Sequence, residues 1–309
     1  MNIINLINAL PGAAAQGLIW GIMAIGVYLT FRILDVADLT VDGTMCTGGA
    51  VCIMMMQAGF GVWPSMLAAT GAGMLAGLAT GIFHTFMGIP AILAGILTQL
   101  SLYSVNLKVM GKANQAINVS QYDLLVSLRY IKGVVFYKNT IFVVAIFILV
   151  LIAVLYWFFG TELGCSLRAT GSTPNMARAQ GINTDFNKVL GLMISNGLVA
   201  VSGALLAQYQ SYGDINMGRG AIVIGLAAVI IGEVVFSRIF HNFALKLLAV
   251  SFGSIIYYVV IQAVLSFTEI NSNYLKLISA GIVALFLSVP YWKDKYFSKP
   301  VKRGGAQNA

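Results

Sequence analysis

Apolar residues in this chain come in long blocks rather than in alternation. Blocks at 14–33, 43–60, 62–84, 90–109, 140–160, 189–210, 219–236, 243–267 and 274–291 approach or exceed the ~20 residues that a helix needs to cross a bilayer. They are too long for the ~10-residue strands of a membrane barrel, and the helix is the other structure that satisfies its own backbone in lipid. The pattern predicts an all-α polytopic membrane protein with about nine (8–10) transmembrane helices.

Composition agrees. Hydrophobic residues make up 59% of the chain and charged residues 9%, with a mean hydropathy of +0.88; a soluble domain carries about 25% charged residues. A water-soluble fold of 309 residues has no means of hiding so much apolar side chain. The net charge of +8 does not point to nucleic acid, because the basic residues lie between blocks and in the tail Lys293, Lys295, Lys299, Lys302 and Arg303. That placement is the one produced by the excess of Lys and Arg on the cytoplasmic side of membrane spans. Cys46, Cys52 and Cys165 have neither disulfide nor metal-ligand spacing, and Cys46 and Cys52 read as small packing residues. Met1–Pro11 lacks the basic start of a cleaved signal, so the first block reads as a retained span. No cofactor or metal motif occurs. His84 and His241 sit near block ends and read as interfacial.

With the basic tail in the cytoplasm, alternation of nine spans puts the N-terminus outside and 161–188 inside, where Arg168, Arg178 and Lys188 fit. Segment 110–139 falls outside despite Lys112, Arg129, Lys132 and Lys138 against Asp123; a half-buried Leu124–Phe136 would account for it. A faint repeat divides the chain. Asp38-Leu-Thr-Val-Asp-Gly43 after the first span has a counterpart in Asp214-Ile-Asn-Met-Gly218-Arg-Gly220 after the sixth. Those two spans are expected to run in opposite directions, the arrangement of inverted-repeat transporters, whose sites lie at matching helix interruptions. The expected organisation is one permease domain over 1–309, with halves 1–160 and 161–292 and a cytoplasmic tail 293–309.

The longest polar stretch flanked by spans on the inner side is 160–188. Thr173 reads as a helix cap, Pro174 suits a first helical position and Gly181 suits a left-handed stop, giving a short helix over Pro174–Gln180. Asn183 or Thr184 then caps the next span. Two turns are marginal alone in water, so this helix packs on something: its own spans and headgroups, or a groove in a cytoplasmic partner that it drives as a lever. Gly164, Arg168-Ala169, Ala177, Gly181-Ile182-Asn183, Gly197, Gly203 and Ala204 together resemble the branched-chain amino-acid and ribose permease superfamily of ATP-binding-cassette (ABC) importers. Ala37-Asp-Leu-Thr-Val-Asp-Gly43 is similar to the subgroup associated with tryptophan and related amino acids. The resemblance implies a permease homodimer or pseudo-dimer in the bacterial plasma membrane, with two ABC ATPase subunits and an extracytoplasmic solute-binding protein. It also implies that Arg168, Thr173, Pro174, Ala177, Arg178, Gly181, Ile182 and Asn183 form the coupling element. No Gly-x-x-x-x-Gly-Lys-Ser/Thr phosphate loop occurs, so ATP hydrolysis is expected on a partner chain and no catalytic residue in this one.

Ionisable residues within or beside spans are costly and default to functional candidates. Asp38, Asp42, Asp214, Arg219 and Glu233 qualify. The alternative for Asp38 and Asp42 is plain capping of the second span. Arg219 either pairs with Asp214 or faces the binding protein, and Glu233 faces a dimer interface or the cytoplasm. Gln99, Ser101, Tyr103 and Asn106 either line a pathway or join helices by hydrogen bonds. The tentative pathway set is Asp38, Asp42, Gln99, Asn106, Asp214 and Arg219. The solute expected by resemblance is an aromatic or branched-chain amino acid. A sugar or nucleoside importer is the alternative, and so is an ion-coupled secondary transporter using carboxylates such as Asp38 or Glu233.

Overall fold

The structure is a computed structural model that describes residues 3–117, 122, 124–128, 139–236, 240, 242–267, 277, 280–286 and 288. Of the predicted span 274–291, the described part 280–286 is helical. The basic tail, His241, Arg129, Lys132 and Lys138 lie outside the described residues.

The chain opens with α1 (Ile3–Tyr28), whose last turn widens into a π-type turn at Leu29–Ile33. Helices α2 (Val41–Gln57), α3 (Val62–Thr85) and α4 (Ala91–Met110) follow, then strand β1 (Asn114–Ala116). Beyond the next loop come α5 (Thr140–Gly160), α6 (Glu162–Ser172), α7 (Pro174–Ala179) and α8 (Thr184–Gln210). Strand β2 (Tyr212–Asp214), α9 (Ala221–Phe236) and α10 (Phe243–Phe267) complete the set. Among the described residues, six of these helices are long and apolar enough to cross a membrane. Helices α2 and α9, at 17 and 16 residues, are shorter, and each follows an interruption of its span. All eight fall on predicted blocks. Helix α1 begins well ahead of its block and carries Pro11 inside it; neighbouring helices make such a proline tolerable in a membrane span.

Helices α1 and α8 form the buried centre. The main partner of α1 is α10 and that of α8 is α3, so the first span of each sequence half lies against the third span of the other. The two central helices run in opposite directions, as the repeat predicts. Lipid offers no hydrophobic drive between helices, so contact depends on close backbone approach and interhelical hydrogen bonds. Both are present. A Cβ on Gly77 would run into the Leu192 carbonyl, and one on Gly203 into that of Met45. Ser195 Oγ donates to Gly26 O at 2.8 Å, Ser202 Oγ to Ile19 O at 2.8 Å and Ser254 Oγ to Gly17 O at 2.6 Å. Leu67, Leu75, Leu149, Val154 and Trp157 point outward, a surface suited to lipid.

The end of the bundle bearing α6 and α7 holds Arg32, Arg168, Arg178, Lys188 and Lys246, and the opposite end holds Lys108, Lys112 and Arg219. That bias assigns the α6–α7 end to the cytoplasm. Among the described residues, the outer end carries the one departure from an all-helical fold: β1 pairs antiparallel with β2, Asn114 opposite Asp214, tying the loop after α4 to the loop after α8. The described part of the 110–139 loop stays at this outer end, where Leu125 N donates to Gln208 Oε1 at 3.2 Å.

Candidate functional site: a cytoplasmic helical module and two broken spans

At the inner end, Thr161 Oγ1 accepts from Gly164 N at 3.4 Å and starts α6, an 11-residue helix that is not among the predicted elements. Its signal was present in Thr161 followed by Glu162, a cap and a first-turn acid, but was obscured by Gly160 and Gly164. Helix α7 starts at Pro174 and stops at Gly181, whose φ is +80°, as predicted. Thr173 occupies the cap position, yet its side chain makes no capping bond. A cap does form at the next helix, α8, where Asn183 Oδ1 accepts from Phe186 N at 3.1 Å.

Ala177 packs α7 inward, while Pro174, Asn175 and Met176 face out. Arg178 ties α7 to the start of α8: Nε donates to Thr184 Oγ1 at 2.7 Å, and Nη2 lies 3.4 Å from Asp185 Oδ1. Both charged side chains are more than half exposed, so the ion pair itself contributes little; the bond to the buried Thr184 fixes the geometry. Arg168 donates to the Phe159 carbonyl at 2.7 Å and lies 6.0 Å from the Phe243 ring centre, locking α6 against α5 and α10. Ile182 is half-buried beside this clamp.

The second region is built from two interrupted spans. After the π-type turn, 34–40 turns back into the bundle, and α2 begins only at Val41. Asp38, 2% exposed, uses one oxygen to accept from Thr40 N at 2.8 Å and the other to accept from Asn196 Nδ2 at 2.7 Å. Asn196 sits midway along the 27-residue α8, so this turn lies deep in the membrane. Its amide oxygen accepts from Thr44 Oγ1 at 2.7 Å, and Thr40, Thr80 and Thr98 share a second hydroxyl chain. Asn196 was absent from the predicted set, although a lone Asn in the apolar block 189–210 was a legible signal.

The other interruption, 211–220, precedes α9. Asp214 Oδ1 accepts from Asn216 N at 2.6 Å, the same two-residue turn that Asp38 makes with Thr40. Asp42 reaches across: its carboxylate accepts from Gly220 N at 2.8 Å and Ile222 N at 3.0 Å. It thus caps α9 rather than its own helix, and its negative charge complements the N-terminal dipole of α9. Among the described residues Arg219 forms no ion pair with Asp214. Glu233 faces the cytoplasmic end and pairs with Arg32 at 2.8 Å.

Asp42, Gln99, Asn106 and Arg219 line one cavity of about 270 Å³, together with Gly43, Cys46, Leu100, Tyr103 and Ile215. Asp214 touches its wall only through its carbonyl, which accepts from Cys46 Sγ at 3.5 Å, and Asp38 lies apart from it. Asn106 is 1% exposed, and its Oδ1 has no hydrogen-bond partner among the described residues. A buried acceptor in that condition costs free energy until a donor reaches it. Cys46 and Cys52 are buried packing residues. No cluster of three or more metal-ligating side chains occurs among the described residues.

Comparison with known proteins fits this architecture. Residues 10–287 match the family described as the permease component of branched-chain amino acid transport systems. The chain belongs to that family and is a multi-pass permease subunit of the bacterial inner membrane. A tyrosine transport system permease protein of Clostridioides difficile is 37% identical over 274 residues, 88% of each chain. An uncharacterised protein of Rickettsia prowazekii is 35% identical over 283 residues, 91% of this chain and 97% of its own. The autoinducer 2 import system permease protein LsrC of Yersinia pestis is 30% identical over 228 residues, covering 72% of this chain and 60% of its own. Among solved structures, PsaBC from Streptococcus pneumoniae in complex with Fab aligns with a TM-score of 0.54 over 95% of this chain and 100% of that one. Its identity of 17% makes that a likeness of fold.

Proposed function

We propose that this family member is the membrane-spanning subunit of an ABC importer for an amino acid, aromatic or branched-chain. A separate ATPase drives it through α6–α7, and an extracytoplasmic solute-binding protein delivers the solute. The observation that carries the reading is the cytoplasmic module: a short helix with an exposed outer face, joined through Arg178 to the first residues of the central helix α8. A push on α7 has a stiff path into α8, and α8 holds both Asp38 and the polar centre of the bundle through Asn196. The same path makes Arg168, Thr173, Pro174, Ala177, Gly181, Ile182 and Asn183 structural parts of the lever, with Arg178 its hinge pin.

The solute pathway runs past the cavity of Asp42, Gln99, Asn106 and Arg219. Support comes from the orphaned Asn106 acceptor and from α4, whose exposed face carries Ser101, Ser104 and Lys108. Polar side chains at that spacing are costly against lipid. They suit a water-filled seam between two copies of this chain, so the permease is a homodimer with α4 bordering the pathway. The halves 1–160 and 161–292 are the repeat units, supported by the matching turns at Asp38 and Asp214 and by the reciprocal packing of α1 on α10 and α8 on α3. The likeness to the tyrosine permease supports amino-acid selectivity. An ion-coupled mechanism is disfavoured because Asp38 and Asp42 are both occupied by hydrogen bonds to the protein.

The test is co-expression with candidate ABC ATPases of the same genome, followed by extraction in mild detergent and uptake of labelled tyrosine into vesicles. A stoichiometric complex and ATP-dependent uptake are expected, with Arg178→Glu and Gly181→Pro inserting normally but losing both. Uptake that follows a proton or sodium gradient without ATPase would overturn the reading, and competition by ribose but not tyrosine would replace the solute class.

A further inference from the structure

Away from the solute pathway, the inner end holds a basic recess at the base of the cytoplasmic module, to which α6 contributes Arg168. Two adjoining cavities of about 280 and 390 Å³ share Arg32 and Lys246 in their walls. Arg168 and Ser172 of α6 and Phe243 of α10 line the larger, and Glu233 and Phe236 of α9 line the smaller. Three cations therefore meet one carboxylate. Glu233 is committed to Arg32 at 2.8 Å, whereas Arg168 bonds a backbone carbonyl and a thiol. Lys246 has no ion-pair partner among the described residues. Among the described residues the recess thus carries two uncompensated positive charges.

An apolar path leads out of it toward lipid. Phe236 stacks on Phe240 at 5.2 Å and leans on Phe252 at 5.8 Å. Phe252 is 43% exposed, and Val235 and Phe31 are exposed near the same end. A soluble anion has no use for such a flank. A phospholipid satisfies both parts, its phosphate meeting the cations and its acyl chains lying on the aromatic and aliphatic side chains; basic pockets between helices at the cytoplasmic face suit anionic headgroups.

We propose that this recess binds the phosphodiester headgroup of an anionic phospholipid of the inner leaflet, held between Arg32, Arg168 and Lys246. The bound lipid bridges the end of α1, α6 and α10, and so braces the base of the cytoplasmic module against the bundle.

The test uses the full chain in phosphatidylcholine nanodiscs doped with increasing phosphatidylglycerol, with thermal melting as the readout. Phosphatidylglycerol is expected to raise the melting temperature saturably. Lys246→Gln should raise the half-saturating mole fraction about fivefold, the equivalent of ~1 kcal/mol per cation near an anionic surface. Lys246→Arg and the outer-end Lys112→Gln should leave it unchanged. Equal curves for wild type and Lys246→Gln, or equal loss in Lys112→Gln, would overturn the site. Inorganic phosphate stabilising the chain equally in pure phosphatidylcholine would overturn the lipid in favour of a soluble anion. A measurement on the wild type alone guards against a Lys246→Gln that does not fold: lipid retained through detergent purification should be enriched in phosphatidylglycerol over the source membrane, and unchanged composition sinks the proposal.

Discussion

The two breaks that interrupt the spans begin with the same chemistry and end in different roles. At the first, Asp38 folds its carboxylate onto Thr40 N; at the second, Asp214 does the same to Asn216 N. The first turn is carried into the middle of the bundle, where Asp38 is 2% exposed and its second oxygen is claimed by Asn196. The second remains at the outer mouth, half-buried, with Arg219 projecting beside it. Local sequence thus supplies a turn, and depth decides whether the turn is a structural joint or the rim of a site. Asp42 connects them, since it starts in the first break's helix and caps the helix of the second.

Four substitutions bear on that contrast, in decreasing order of effect on stability. Asp38→Ala strips the partner from two buried donors, at about 1–3 kcal/mol each. The expected result is a chain that inserts but melts at much lower temperature in detergent, with uptake lost. Asp42→Ala removes a cap and its dipole interaction and should cost ~2 kcal/mol, with α9 loosened at its start and transport reduced. Asp214→Ala, at a part-exposed turn, should cost no more than about 0.5–1 kcal/mol. If it instead destabilises the chain as much as Asp38→Ala does, depth is not what separates the two breaks. Arg219→Gln should fall within about 0.5 kcal/mol of wild type yet lower solute uptake about tenfold, because nothing among the described residues holds its guanidinium. Unchanged uptake would remove Arg219 from the pathway.

The coupling element shows the same division at smaller scale. Pro174 and Gly181 bounded α7 correctly because proline and a left-handed glycine act through their own backbone, independent of neighbours. Thr173 did not deliver its capping bond, since a hydroxyl caps only where the preceding chain leaves it aimed at the amides. Helix α6 went unread because its stability comes from packing: Gly164 lies against the Phe159 backbone and Gly171 against Ile33, contacts that residue propensities do not register. The candidate pathway set divided for a related reason. Gln99 and Asn106 lie seven residues apart, two helical turns, so one face of α4 was legible. That Asp42 and Arg219 meet that face, and that Asp38 does not, depends on which helices cross there.

What the sequence by itself determined is the solvent and the approximate ends of the eight spans that the structure describes in full. The position of the cytoplasmic helix and the presence of paired interruptions were also legible in it. Each of these follows from blocks of hydropathy, charge bias or single-residue backbone constraints, all of which act over about 20 residues or fewer. Only the tertiary structure decided that Asp38 is sealed by Asn196, that Asp42 caps α9 and that Arg32 finds Glu233, a residue 201 positions away. Those contacts join residues from opposite halves of the chain, and it is the crossing of α1, α2, α8 and α9 that brings them within reach.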